Sequence, residues 1–283
     1  MRKVVLDLYR IGLDIPPYPQ LRDFVEIYLK PLENNNCISR VKGVYVTSPD
    51  HMDRCQDVEL HIPEAEEAIS AIKEHGLTFK GLRAPVTGPF TLASKIYVDA
   101  ETSRGISATC LARKEIVQSF LSKYVSAWVK YLANLGYNIV FLDEPVFNYM
   151  IGRKMLFGYS EDDVMNTLEK VIASVSGIEF GIHVCGPLNA RIMDLLMRIP
   201  GIKYISIETH DTPSNADLIS KEQLEKNDKY ISPGIVGAQR PAVESLDEVY
   251  TILKRIYEKA GGRVDLVSGD CGFGGLRGTL GSR

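Results

Sequence analysis

The stretch Ile178–Asn189, IEFGIHVCGPLN, sets an apolar run against a Gly-Pro stop, with a histidine and a cysteine interrupting it just before that stop. A short apolar run bounded by turn residues reads as a buried strand. The segment after it, Asn189–Ile199, has the apolar spacing of an amphipathic helix. A buried strand leading through a tight turn into a helix is the repeating piece of a parallel α/β fold. Along a strand, side chains i and i+2 share a side, so His183 and Cys185 point the same way. The pair is either core filler or half of a metal site, and the rest of the chain has to decide.

The same punctuation recurs. Short runs begin at Lys3 (KVVLDL), Gly43 (GVYVTS), Phe79 (FKGLRAPV), Asn138 (NIVFLDEP), Ile178, Ile202 (IKYISIE), Lys229 (KYISPGIV) and Arg263 (RVDLVSGD). Between them lie helical segments at Glu64–His75, Lys114–Leu135, Asp162–Val175, Asn189–Ile199 and Ser245–Ala260, several stopping at a glycine (Gly76, Gly136, Gly261). In Lys114–Leu135 the stripe Ile116, Phe120, Tyr124, Trp128 and Leu132 is core packing. Eight strands alternating with helices predict an α/β fold, a (β/α)8 TIM barrel, as a single catalytic barrel domain over residues 1–283. A doubly wound open sheet is the alternative, but no G-x-G-x-x-G follows an early strand. Twelve residues follow Cys271, fewer than an eighth helix and its loop take, so the segment after strand eight is expected to be unusually short.

A formal net charge of -3 argues against a broad nucleic-acid or anionic-membrane footprint. No apolar run approaches the roughly 18 residues that span a bilayer, and Asp7 and Arg10 fall where a signal peptide would stay apolar. The five cysteines are odd in number and widely spaced, a poor disulfide framework, so a cytoplasmic setting is expected. Cys37, Cys55 and Cys110 read as buried filler.

In a (β/α)8 barrel the chemistry sits where the C-terminal ends of the strands meet. The fourth strand ends in Asp143-Glu144-Pro145, the fifth in His183-Val184-Cys185, the sixth in Glu208-Thr209-His210 and the eighth in Asp270-Cys271-Gly272. Zinc takes cysteine sulfur, histidine nitrogen and carboxylate oxygen, usually four at once, and His183, Cys185, Glu208 and Cys271 fit that set. Taken singly, a buried cysteine is commonly inert and a strand-end glutamate is usually solvated. Their arrival at one rim is what favours the metal. The glycines of Gly269–Gly278 with Arg277 would suit a phosphate cradle and a phosphosugar enzyme, a reading that leaves His183 and Cys185 unexplained.

At these residues the chain resembles the C-terminal catalytic barrel of cobalamin-independent methionine synthase, and more broadly the thiol-methylating branch of the uroporphyrinogen-decarboxylase-like barrels. The signatures that carry the resemblance are TGPFT (Thr87–Thr91), LDEP (Leu142–Pro145), HVCG (His183–Gly186), ISIET (Ile205–Thr209) and GDCG (Gly269–Gly272), in that order, between about Phe79 and Leu276. It implies Zn2+ held by His183, Cys185, Glu208 and Cys271, and methyl transfer to the thiol of homocysteine to give methionine. It also implies that Asp143 binds the acceptor's amino group, with Thr87 and Glu144 as further substrate-binding candidates. A carboxylate capping the turn before Pro145 is the structural alternative for Asp143. His210, two residues beyond Glu208, is a candidate catalytic or supporting group; a solvated loop histidine is its alternative.

The chemistry agrees with the resemblance. A free thiol has a pKa near 8.5 and attacks poorly while protonated, whereas a bound zinc ion forces it to thiolate at neutral pH. Three departures from the family pattern bear on the methyl donor. The long N-terminal half of the folate-dependent enzymes has no counterpart, the usual strand-one G-S-[FY]-P signature is replaced by GLDIPPYPQLRDF (Gly12–Phe24), and Gln239 stands where the family carries a proton-donating histidine. A methyl leaving a folate nitrogen needs a proton there, while one leaving a corrinoid cobalt does not. The expected donor is therefore a methylcorrinoid or corrinoid protein, or a methylated pterin or folate. Coenzyme M as acceptor and a non-catalytic metal- or corrinoid-binding barrel are the alternatives.

Overall fold

The computed structural model describes residues 1–48, 51–52, 55, 58–98 and 102–276. The chain packs as two compact units, Met1–Asp143 with Leu156–Phe180, and Glu144–Met155 with Gly181–Arg283. None of the helices among the described residues is long and apolar enough to cross a membrane.

The first unit holds two sets of strands. β1 (Ser39–Val41) pairs antiparallel with β2 (Val44–Thr47), and β2 runs parallel to β4 (Ile96–Val98). Separately, β3 (Arg83–Thr87) lies parallel to β5 (Ile139–Asp143), in a register that sets Thr87 opposite Asp143. The core beside them is aromatic: Tyr28 meets Trp128 edge-on at 5.3 Å, and the buried Tyr18 and Tyr28 hydroxyls both donate to the Pro85 carbonyl. Trp128 sits on the helix Ser122–Leu135, which ends at Gly136 in the left-handed conformation with φ 113°. The turn preceding it, Ile116–Leu121, is a π-helix, so the expected stripe slips there and Phe120 is only half-buried.

Two expected barrel strands take other forms. KVVLDL lies within the helix Arg2–Arg10, with Val5 buried and Arg2 paired to Glu74 on the helix Pro63–Glu74. Six residues cannot separate strand from buried helix by periodicity, and Val4 and Leu8 are also four apart. Beside β3 the partner is instead an isolated parallel bridge at Pro17, where Arg83 N–H donates to the Pro16 carbonyl at 3.0 Å. The prolines at 16, 17 and 19 remove backbone donors and keep this segment from extending into a ladder. GVYVTS does form a strand, but in the small β1–β2–β4 sheet.

The expectation that the cysteines form no disulfide is corrected at one pair. Cys37 and Cys55 are bonded, with Cα atoms 5.5 Å apart across 18 residues, while Cys110, Cys185 and Cys271 are not in disulfides. Spacing alone gave no sign of it, because the hairpin β1–β2 lies between the two cysteines.

The second unit carries β6 (Glu179–Val184, from Gly181 onward), β7 (Ile202–Glu208), β8 (Tyr230–Val236) and β9 (Ser268–Gly269), neighbours in that order. β7 and β8 are parallel, with Glu208 opposite Gly234. The run RVDLVSGD is reduced to the two residues of β9 and a bridge from Val264 to Ile231, both parallel to β8. Its charged Asp265 and exposed Val267 do not suit a buried strand. The helices Ala190–Arg198, Lys221–Lys226 and Leu246–Lys259 complete the unit, each capped by a side chain (Asn189, Ser220, Ser245) that accepts from the third residue on.

Candidate metal centre

Three of the four expected ligands come together in the second unit. His183 lies in β6, Cys185 one residue beyond its end, and Cys271 two residues beyond β9. The ligand atoms of His183, Cys185 and Cys271 all lie within 4.8 Å of one another. His183 Nε2 is 2.9 Å from Cys185 Sγ, which is 2.8 Å from Cys271 Sγ. The chain can place Cys185 there because Gly186 turns it away at once with φ 80°, in the left-handed region that glycine enters freely. Asn148 donates to the Cys185 carbonyl and holds the same turn from the side.

Zinc–nitrogen and zinc–sulfur bonds of about 2.0–2.3 Å put pairs of ligand atoms no more than about 4.6 Å apart. These three groups thus lie within reach of one ion, and the nitrogen–sulfur donor set is the kind zinc prefers. His183 presents Nε2 to the cluster while Nδ1 meets the buried Ser206 hydroxyl at 3.0 Å, so Ser206 is placed to fix ring orientation and tautomer. The Cys271 thiol is held well below the ordinary thiol range by hydrogen bonding from Cys185, then by the nearby His183.

Glu208, the fourth expected ligand, ends β7 and is buried, but it is not part of the three-residue group; its Oε2 accepts from Thr212 Oγ1 at 2.9 Å. His210 lies apart from that group as well. Its Nδ1 is 3.1 Å from Asp211, and its Nε2 is 3.4 Å from Glu244 and 3.5 Å from Glu248. Burial lowers its pKa, but the Asp211 hydrogen bond and the surrounding carboxylates outweigh this and raise it. His210, Asp211 and Asp270 make a second close group, but both Asp270 oxygens already accept backbone N–H groups.

Thr87 and Asp143 lie side by side at the ends of β3 and β5 in the first unit, where the buried Thr87 hydroxyl donates to the Phe24 carbonyl. Glu144 is fully buried in the second unit, its N–H donating to the His183 carbonyl at 2.9 Å. Gln239 is exposed, its backbone N–H 3.2 Å from Asp211. Arg277, named for a phosphate cradle, lies outside the described residues. Sequence reasoning missed Ser206, Asn148 and Thr212. Only Ser206 left a signal, as a polar residue two before Glu208 on the same face of an otherwise apolar strand.

Comparison with known proteins adds the lineage. The family described as cobalamin-independent synthase, catalytic domain, matches residues 60–279. A methionine synthase of Methanothermobacter thermautotrophicus is 24% identical over 198 residues, 69% of this chain and 57% of that protein. A 5-methyltetrahydropteroyltriglutamate–homocysteine methyltransferase of Thermotoga petrophila is 24% identical over 96% of this chain but 36% of its own length. The chain thus spans well under two thirds of either relative. Among solved structures, a B12-independent methionine synthase from a Shewanella species, in complex with selenomethionine, superposes with a TM-score of 0.69 at 18% identity, over 98% of this chain and 81% of that one. That likeness shows the fold, an α/β barrel of the TIM class. On the family match, which takes in most of its length, the chain belongs to the cobalamin-independent synthase catalytic-domain family.

Proposed function

We propose that this protein is a zinc-dependent methyltransferase that moves a methyl group to the thiol of homocysteine and gives methionine. The observation that carries the reading is the convergence of His183 Nε2, Cys185 Sγ and Cys271 Sγ; Glu208, buried at the end of β7, would be the fourth ligand. Zinc, when bound, would supply the Lewis acidity that keeps the acceptor sulfur a thiolate at neutral pH.

The remaining work falls to the chain. Ser206 meets His183 Nδ1, and by accepting a hydrogen bond from it would leave Nε2 free as a ligand. Glu208 would be the one oxygen donor among the groups holding zinc, a weaker donor than the two sulfurs, and Thr212 holds one of its oxygens. Asp143 takes the acceptor's ammonium by a charge-assisted hydrogen bond and so selects an amino-acid thiol. The sulfur attacks the methyl carbon, a C–S bond forms, and the donor keeps the electron pair of the bond that breaks.

The Thermotoga petrophila relative is named for a methylated pteroyl donor, and for such a donor the departing nitrogen must be protonated. Gln239 stands where the resemblance places the proton-donating histidine and cannot fill that role, which keeps a methylcorrinoid beside a methylated pterin or folate as the donor, although the matching family is the cobalamin-independent one. The cytoplasm, where thiolates stay reduced, suits this chemistry, whereas the Cys37–Cys55 bond is of a kind rare there.

The test loads the protein with zinc, supplies homocysteine, and offers methylcobalamin or methyltetrahydropteroylglutamate in parallel while methionine is assayed. Methionine formed in step with loss of either methyl donor supports the reading and names the donor. A protein with one zinc per chain that forms no methionine from either donor overturns it.

A further inference from the structure

Two buried polar side chains outside the ligand set bond to the main chain on either side of the ligands. Asn215, 1% exposed in the 3-10 helix Pro213–Leu218, donates from Nδ2 to the carbonyls of Gly186 at 3.0 Å and Glu208 at 2.9 Å. Its Oδ1 accepts the Leu188 N–H at 2.9 Å. Only this orientation of the amide satisfies all three partners; the flipped one would set oxygen against two carbonyls. Asn215 therefore joins the turn that follows Cys185 to the peptide that follows Glu208.

Asp270, also 1% exposed, precedes Cys271. Its Oδ1 accepts from the N–H groups of Thr209 at 2.9 Å and His210 at 3.1 Å, and its Oδ2 accepts from Asp211. It therefore joins the segment after Glu208 to the segment bearing Cys271. The fit needs a glycine at 234, since a Cβ there would collide with the Asp270 main chain.

A buried polar side chain needs partners to be stable there, so an apolar residue would serve better if filling space were the only demand. Here the bonds fall on three ligand-bearing segments and link them in series. Asn215 couples the His183–Cys185 segment to Glu208, and Asp270 couples Glu208 to Cys271. We infer that Asn215 and Asp270 are positioning residues that set the spacing of the ligands and thereby the metal affinity of the centre. The inference rests on the zinc reading above.

The experiment measures zinc dissociation constants by competition with a chromophoric chelator, together with apo-protein melting and the visible spectrum of the cobalt-substituted protein. The variants are Asn215→Leu, Asp270→Asn and, as a control, Lys229→Met. Lys229 is equally enclosed in the same unit, but its Nζ donates to the carbonyls of Ile199 and Ile202, away from every ligand. Loss of an outer-shell partner weakens metal binding by about 10–100-fold. Asn215→Leu and Asp270→Asn are expected to lose affinity in that range and to shift the cobalt bands. Lys229→Met should lower the melting temperature and leave the zinc constant within about twofold. Should Asn215→Leu not fold, Asn215→Gln, which keeps the amide but moves it by one methylene, is read in its place. Folded variants with wild-type zinc constants and cobalt spectra overturn the positioning role while leaving the zinc reading intact. A wild-type protein that binds no zinc overturns both.

Discussion

The two ends of the strands in the second unit bury polar groups for different purposes. At the C-terminal ends of β6 and β7, and just beyond β9, Ser206, Asn215 and Asp270 bond to a candidate ligand or to main chain of or next to one. At the start of β7 and β8, Lys229 donates to the Ile199 and Ile202 carbonyls at 2.8 and 2.6 Å, and Arg263 donates to the Lys229 carbonyl at 3.1 Å. Both ends obey the rule that a buried polar group must be paired. They differ in what the pairing fixes. One end ties down main chain beside the candidate ligands, and the other closes irregular backbone that would otherwise leave carbonyls bare. The consequence is a separation of effects: damage at one end should appear in metal binding, and damage at the other in stability.

The sharpest break comes from the ligands themselves. Cys185→Ser should reduce bound zinc from one per chain to near zero in an equilibrium dialysis at nanomolar free metal, and methyl transfer should fall by about a thousandfold or more, in keeping with removal of a group that creates the nucleophile. Normal zinc content in that variant would remove Cys185 from the centre. At the opposite end, Lys229→Met leaves two carbonyls without their donor and should cost about 2–4 kcal/mol of stability, read from chemical denaturation, with zinc content unchanged. A loss of zinc in Lys229→Met comparable to that in Cys185→Ser would erase the distinction between the two ends.

That distinction also governs how much could be read from sequence. His183, Cys185, Glu208 and Cys271 are rare residue types set against apolar runs, and alternation along a strand predicts their direction. Three of them converge as expected. Asn215 was not legible, because it lies in the polar run TPSNADL seven residues after Glu208, where an asparagine normally reads as a solvated turn residue. Its role depends on a 3-10 helix folding back over the end of β7, a tertiary fact with no local signature. The strands at the chain's two ends were misread for a related reason. KVVLDL and RVDLVSGD are short and apolar enough for a strand, yet the first packs as a helix and the second pairs over only a few residues. Composition over six to eight residues cannot choose between those outcomes. The Cys37–Cys55 bond was hidden for the same reason, since it depends on a hairpin bringing the two together.

Within the metal-binding end, Ser206→Ala probes a single bond. The substitution removes the hydroxyl that meets His183 Nδ1 and little else, so zinc affinity should fall by roughly tenfold, about 1.4 kcal/mol, with a small change in melting temperature. Isothermal competition titration against a zinc chelator measures it. Unchanged affinity would mean that packing alone orients the imidazole.

The smallest effect should come from a structural pairing in the first unit. Asp163 closes a capping box with Ser160 at the start of the helix Glu161–Ile172, and its carboxylate also accepts from Lys114 at 2.7 Å and Gln118 at 2.9 Å. The Lys114 hydrogen bond, followed by the Ser160 backbone, holds the Asp163 carboxyl well below the usual carboxylate range. A carboxylate with a lowered folded-state pKa contributes stability at any pH above its unfolded value of about 3.9, and loses it as pH falls toward the folded value. Asp163→Asn keeps the shape but removes the charge, and should cost about 1 kcal/mol at neutral pH. The gap between wild type and variant should narrow below about pH 4, as the wild-type carboxylate takes up its proton. Urea titrations at pH 7 and at pH 3 give the two values, and zinc binding should match wild type at neutral pH. A gap that stays constant into acid would assign the stabilisation to the acceptor that the amide lacks and leave the Lys114 ion pair with no net contribution.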